Sequence, residues 1–201
     1  MKALYRNFGH PRGVLGWLVG HAMARKNGER SEWALARLAP RAGERILEVG
    51  FGPGVDVARL AAAVGGSGHV SGVDPSREMK RHASARNRAA IREGRVDLEL
   101  GGAEALPFAA ASFNAVYSVN TAFFWPDLAA GMGEIARVLR PQGRVLVVLQ
   151  PLWKGAGPAD AAEWGERLTK AMQSSGLQKA EAALEKLASG TVVGVLAQHS
   201  E

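Results

Sequence analysis

The run Arg45-Ile46-Leu47-Glu48-Val49-Gly50-Phe51-Gly52-Pro53-Gly54 constrains this chain more than any other stretch. An apolar, strand-like segment ends in an acidic residue and breaks into glycines at alternate positions, and a helical pattern over 55–64 follows at once. Glycine belongs where a backbone takes positive φ, or where a ligand must lie against the main chain with no Cβ in between. The first amides of the following helix have no intrahelical partners and can face a ligand. Strand, glycine loop and helix in that order make a nucleotide-type cradle.

The spacing narrows the ligand. A dinucleotide fingerprint reads G-x-G-x-x-G, its third glycine allowing close helix–strand packing. Here the glycines stand at 50, 52 and 54, and Val55 occupies the place of that third glycine. Glu48, two residues before the first glycine, would repel a pyrophosphate but can pair with an ammonium group. The alternative is a tight strand-to-helix turn that binds nothing. A second strand-like run, over 69–74, ends in Asp74. A carboxylate about 20 residues past the loop can accept both hydroxyls of a ribose. NAD enzymes use the same position, and an Asp there can also cap a helix starting near Ser76.

At 201 residues the chain suits a single domain with a small appendage. Roughly 70% of the unfolded surface can be buried at this length, so no disulfide or metal staple is required. The absence of cysteine excludes disulfides, thiolate zinc sites and a cysteine nucleophile, and it accords with a reducing, cytoplasmic setting. The five histidines, at 10, 21, 69, 82 and 199, show no paired ligand spacing, so no metal is expected. The longest apolar stretch near the N-terminus, 14–19, is far short of the ~20 residues that span a bilayer. Lys2, Arg6 and Arg12 ahead of it imitate a signal peptide, but Gly16 and Gly20 interrupt the apolar part.

The formal net charge is +6, and the whole surplus lies in residues 1–45. Basic faces attract nucleic acid, anionic lipid or acidic substrates. A second basic cluster, over 77–95, reads more simply as a solvated helix.

Past residue 45, strand-like runs over 46–50, 69–74, 96–100, 114–120 and 144–150 alternate with helical patterns over 55–64, 76–93, 128–139 and 160–175. That alternation implies α/β architecture, with parallel βαβ units and helices on both faces. Pro141-Gln142-Gly143 reads as a helix stop before the next strand. In the last segment, 178–187 has helix-forming composition and 191–198 reads as a strand.

Taken together, four segments across roughly 44–150 resemble the class I S-adenosylmethionine-dependent methyltransferases of the small-molecule type. The first is E-x-G-x-G-x-G, Glu48 to Gly54. The second ends in Asp74-Pro75-Ser76, with Met79 shortly after it. The third is Gly102-Ala103-Glu104-Ala105-Leu106-Pro107-Phe108, and the fourth runs from Asn114 through Asn120 to Arg137-Val138-Leu139-Arg140-Pro141-Gln142-Gly143.

The resemblance implies a doubly wound, Rossmann-like, seven-stranded, mostly parallel sheet with an antiparallel C-terminal strand. It therefore favours a hairpin around Ser189-Gly190 over the helix that propensity suggests. It also implies that S-adenosylmethionine binds at Glu48, Gly50, Gly52, Gly54, Asp74, Pro75, Met79, Gly102, Ala103, Glu104 and Asn120. One departure stands out: Gly102 occupies the place of the family's adenine-binding aspartate. Residues 1–40 are expected to form a helical lid over the domain of 41–201. Tyr117, Asn120, His10 and His21 are the candidate catalytic side chains, and aromatic rings at 123–125 are candidates for the acceptor pocket.

The expected partner is a small-molecule methyl acceptor, with an anionic one suggested by the basic N-terminal segment; a homodimer is allowed. Three alternatives stay open: a nucleic-acid methyltransferase, a non-catalytic binding module and an NAD-dependent oxidoreductase.

Overall fold

The computed structural model describes residues 28–200. The chain runs α1 (Gly28–Leu38), β1 (Arg45–Val49), α2 (Val55–Val64), β2 (His69–Asp74), α3 (Arg77–Arg86), α4 (Arg88–Arg92) and β3 (Val96–Leu100). It continues through β4 (Phe113–Val119), a single 3₁₀ turn (Ala122–Phe124), α5 (Leu128–Val138), β5 (Leu139–Leu149), α6 (Pro158–Ser174), β6 (Leu177–Leu187) and β7 (Gly190–His199). The seven strands form one sheet in the order β3-β2-β1-β4-β5-β7-β6. The first five run parallel to one another, and β7 is antiparallel to both β5 and β6. This is the doubly wound, Rossmann-like architecture expected.

Alternation along the strands explains the two layers. In β1, Ile46 packs with α1 and α2 while Leu47 packs with α5 on the other face, and both are fully buried. Strands apolar on both faces in this way are what a helix-covered parallel sheet requires. The order of the strands puts the C-terminal ends of β1 and β4 side by side, and it is there that the chain breaks into glycines.

Two elements differ from the sequence expectation, and a third agrees with it against propensity. The helix expected over 76–93 divides at Asn87, whose side-chain amide donates to the carbonyls of Gly54 and Ala83. Pro141-Gln142-Gly143 does not separate helix from strand: β5 already begins at Leu139, and the pairing with β4 skips between Phe113 and Ala115 to absorb the extra residues. Segment 177–187, helical by composition, is the hairpin strand that the family resemblance favoured; it pairs with β7 from Leu177 to Leu187 and lies against α6. Ladder pairing and packing outweigh propensity here. Among the described residues no helix is long and apolar enough to cross a membrane.

Of the expected lid over 1–40, residues 1–27 lie outside the described residues. The remainder forms α1, whose Ala34 and Leu38 are fully buried against the sheet. Arg144 of β5 clamps its C-terminal end. The guanidinium donates to the carbonyls of Leu38 (2.7 Å) and Ala39 (2.8 Å) and to both carboxylate oxygens of Glu44 (2.7 and 2.8 Å). Burial alone would raise the Glu44 pKa, but the bonds from Arg144 and from the Arg41 amide outweigh it and hold the carboxyl below its ordinary value. Stability from that carboxylate is therefore present at neutral pH and is lost as pH falls through its lowered pKa. Replacing Arg144 by Ala should cost about 2–4 kcal/mol, because partners of a charged donor are left unpaired. The variant should also lose part of its stability decline at acid pH. Urea unfolding across a pH series measures both.

Candidate functional site

The site is built on the turn that follows β1. Gly50, Gly52 and Gly54 all have positive φ, at 79°, 49° and 73°. Gly50 and Gly54 have no room for a Cβ. One at Gly50 would fall 2.1 Å from Thr121 Cγ2, and one at Gly54 would fall 2.6 Å from Ala83 Cβ. At Gly52 no described residue lies within 4 Å of the Cβ position, so the middle of the loop is uncovered among the described residues. The outer glycines let neighbouring elements close in, and the central one leaves backbone uncovered for a ligand.

The loop is fastened from several sides. The Gly50 amide donates to the Val73 carbonyl at 2.7 Å. Asp74, at the end of β2, accepts from the Gly52 amide through Oδ2 (2.9 Å) and from the Ser76 amide through Oδ1 (2.8 Å). Ser76 caps α3 by accepting from the Met79 amide. Arg86 donates to the Pro53 carbonyl and Asn87 to the Gly54 carbonyl. From β4, Thr121 lies over Gly50 and donates to the Val49 carbonyl at 3.2 Å.

Beneath the loop lies a buried polar cluster. Glu48 is 4% exposed, and its buried Oε2 has no hydrogen-bond partner among the described residues. Burial, reinforced by the nearby carboxylates of Asp56 and Asp74, pushes the Glu48 pKa well above the usual range. Asp56, in the first turn of α2, accepts from Ser31 Oγ (2.8 Å), Tyr117 OH (3.1 Å) and Arg59 (3.1 Å). Arg30 of α1 is 2% exposed and donates to Gln150 Oε1 at 2.6 Å; burial pulls its pKa down to about 10 despite the opposing charge of Asp56. Gln150 in turn donates to Ser189 Oγ and to the Gly190 carbonyl at the tip of the C-terminal hairpin. The cluster thus links α1, α2, β1, β4, β5 and the hairpin.

The expected cofactor residues fall in four places. Glu48, Gly50, Gly52, Gly54 and Asp74 converge on the turn, with Pro75 directly after it. Asn120, at φ 57°, ends β4 beside them, but its Oδ1 already accepts from the Gln150 amide at 2.7 Å and ties β4 to β5. Ala103 is buried in the core on the α5 face, and Glu104 accepts from the Asp127 amide at 3.5 Å. A Cβ at Gly102 would lie 2.9 Å from Glu104 Oε2. Met79 is buried in the core on the α2 face.

Tyr117 lies in a different place from the one expected of a catalytic group. It is fully buried in mid-strand, opposite Glu48 in the β1–β4 register, and bonded to Asp56. Burial, with Asp56 and Glu48 close by, holds its phenol well above its usual pKa. It can position the cluster but not meet an acceptor. His10 and His21 lie outside the described residues. Sequence reasoning missed Thr121, Asn87, Arg30 and Asp56. Only Asp56 carried a signal, as an acid in the first helical turn directly after the glycine loop.

A family profile described as a methyltransferase domain matches residues 46–143, from β1 into β5. The chain belongs to the class I S-adenosylmethionine-dependent methyltransferase family. Among relatives of this methyltransferase, the uncharacterized methyltransferase YdaC of Bacillus subtilis is 29% identical over 161 residues, covering 80% of this chain and 86% of that one. Nocamycin O-methyltransferase of Saccharothrix syringae is 39% identical over 106 residues, covering 53% of this chain and 38% of that one. The chain therefore spans well under half the length of the latter enzyme. The fold matches that of a SAM-dependent methyltransferase from Aquifex aeolicus with a TM-score of 0.68 at 19% identity, over 84% of this chain and 88% of that one.

The raised pKa of Glu48 has a stability consequence. An acid whose folded pKa exceeds its unfolded value (about 4.3 for Glu) costs stability as pH rises from the unfolded towards the folded pKa. Glu48→Gln removes that cost. The ligand-free variant should therefore gain stability relative to the parent as pH rises through this window, and hold a constant difference above it. Parallel urea titrations at several pH values check the sign.

Proposed function

We propose that this methyltransferase binds S-adenosylmethionine on the glycine turn and transfers its methyl group to a small-molecule acceptor by metal-independent in-line displacement. The observation that carries the reading is the buried, unpartnered Oε2 of Glu48 beside a loop left open at Gly52. A buried carboxylate without a partner is costly, and a cationic ammonium group is the kind of partner that would relieve it. Asp74 suits a ribose diol, since a ligand hydroxyl can exchange with the amide bonds it now accepts. Amides near Ala103 and Glu104 are proposed to lie along the adenine edge.

The bound donor supplies an electrophilic sulfonium methyl: as the bond from that carbon to the acceptor atom forms, the carbon–sulfur bond breaks and neutral S-adenosylhomocysteine leaves. The protein's own part is alignment and exclusion of water, since charge on sulfur disperses in the transition state. Asn120 and Thr121 hold the β4 end against the loop. Where an acceptor must lose a proton, His10 and His21 are the proposed bases. The similarity to nocamycin O-methyltransferase supports an oxygen acceptor on a small molecule, and the lack of cysteine accords with a cytoplasmic setting.

S-adenosylhomocysteine should raise the melting temperature while NAD leaves it unchanged, as followed by differential scanning calorimetry; stabilisation by NAD alone would overturn the reading. Asp74→Ala should weaken S-adenosylhomocysteine at least tenfold by titration calorimetry, whereas unchanged affinity would remove Asp74 from the site.

A further inference from the structure

The sheet ends in a long open edge. β6 is an outermost strand, paired along one side with β7 from Leu177 to Leu187 and along the other with no described strand. An edge strand of 11 residues presents a row of backbone donors and acceptors to any chain that matches it. Ala, Glu and Lys, which fill this strand, are poor strand formers, so pairing rather than propensity holds it extended. A bulge and lysines are common means of keeping such an edge from pairing indiscriminately. What pairs here must therefore match it in register.

On the side covered by α6 the edge is grooved. Ala180 packs against the core cluster that holds Leu168 and Met172 of α6, and Gly165 lies over Ala182, where a Cβ added at the glycine would come 3.6 Å from the alanine Cβ. The groove between helix and strand has a volume of about 390 Å³ and is bounded by Ala162, Gly165, Thr169, Ala182, Leu184 and Val193 among others. Small residues make its floor, and Leu184 stands exposed among the described residues.

The strand is complementary to itself. Antiparallel pairing with a second β6, centred on Ala182, matches Leu177 with Leu187 and so uses the whole strand. This register sets Lys179 opposite Glu185 twice. It also sets Leu184 opposite Ala180 and diagonal to Ala182, where it covers the small-residue floor of the other copy's groove. A shift of two residues puts Glu181 against Glu185 in one direction and against its own counterpart in the other, and like charges directly opposite are destabilising. A shift of one residue turns every side chain to the wrong face. The β6–β7 ladder skips between Gln178 and Glu181, which leaves Lys179, at φ 51°, outside it. Among the described residues neither Lys179 nor Glu185 is in an ion pair.

The helical layer fits the same arrangement. α6 lies over β6 and β7 together. Two copies of it would come roughly 10 Å apart at about 4.8 Å per strand, a distance at which helices pack. The rim and the strand carry no surplus charge, since Lys170, Lys179 and Lys186 balance Glu166, Glu181 and Glu185. A nucleic acid, or a peptide of one sign, finds no matching field there.

We propose that β6 and the outer face of α6 bind a second copy of this chain, joining the two sheets edge to edge about a two-fold axis at Ala182. The inference does not depend on the methyl-transfer reading.

Sedimentation velocity on the full chain, at about 1 to 100 µM, tests it. The parent should move from 21.2 kDa towards twice that mass as concentration rises. Lys179→Glu and Glu185→Lys should each weaken the dimer at least fivefold, because each sets like charges opposite. An equimolar mixture of the two variants should restore it, because every pair then has opposite signs. Leu184→Asp should also weaken it at least fivefold. All three positions are exposed among the described residues, and far-UV circular dichroism of each variant should match the parent. A parent that stays monomeric throughout, the result if residues 1–27 or another protein covered this edge, would overturn the proposal. So would a dimer indifferent to the three substitutions, or one that the mixture fails to restore.

Discussion

The main chain between Val49 and Gly54 has to turn through three left-handed glycines while β2, β4 and α3 press against it, and the rest of the site depends on that turn. A Cβ at Gly50 would drive out Thr121 and one at Gly54 would drive out α3. These contacts set where α2 starts, where α3 ends and how the β4 loop lies. The backbone polar groups of the turn are met by Asp74, Asn87, Arg86 and Val73, so it is held in place rather than merely permitted. Among the described residues nothing crowds Gly52, and there a ligand can approach the main chain.

Under the turn the protein keeps a charge arrangement that packing alone would not favour. Glu48 is buried without a partner for Oε2, with Asp56 and Asp74 adding repulsion. Arg30 does not neutralise it; it is engaged with Gln150, and Asp56 is engaged with Ser31 and Tyr117. Removing a charge from water without compensation is among the costliest things a fold can do. Such strain concentrates where a ligand supplies the missing partner. The same cluster joins α1 to the C-terminal hairpin through Gln150.

Much of this was legible from residue order. The α/β alternation, the parallel strands and the convergence of Glu48, Gly50, Gly52, Gly54 and Asp74 all follow from local patterns. Asp74 was legible as the acid ending the second strand, but its hold on the Gly52 amide could not be seen because it spans 22 residues. Tyr117 looked like a catalytic candidate at the C-terminal end of the sheet and is buried instead, because its side chain points to the α1–α2 face and bonds Asp56. Asn87 looked like an interior helix residue; its amide breaks the helix only because Gly54 comes within reach. The hairpin strand over 177–187 has helical composition, and only pairing with β7 settles it.

The sequence by itself determined the class of fold, the place of the glycine turn and the acids that flank it, because strand, turn and helix signals act over a few neighbouring residues. Tertiary structure decided which glycines are crowded and which is open, which carboxylate lacks a partner, and which strand lies at the sheet's edge. Those properties depend on groups up to 120 residues apart, as with Arg30 and Gln150, meeting at the ends of strands whose order in the sheet differs from their order in the chain.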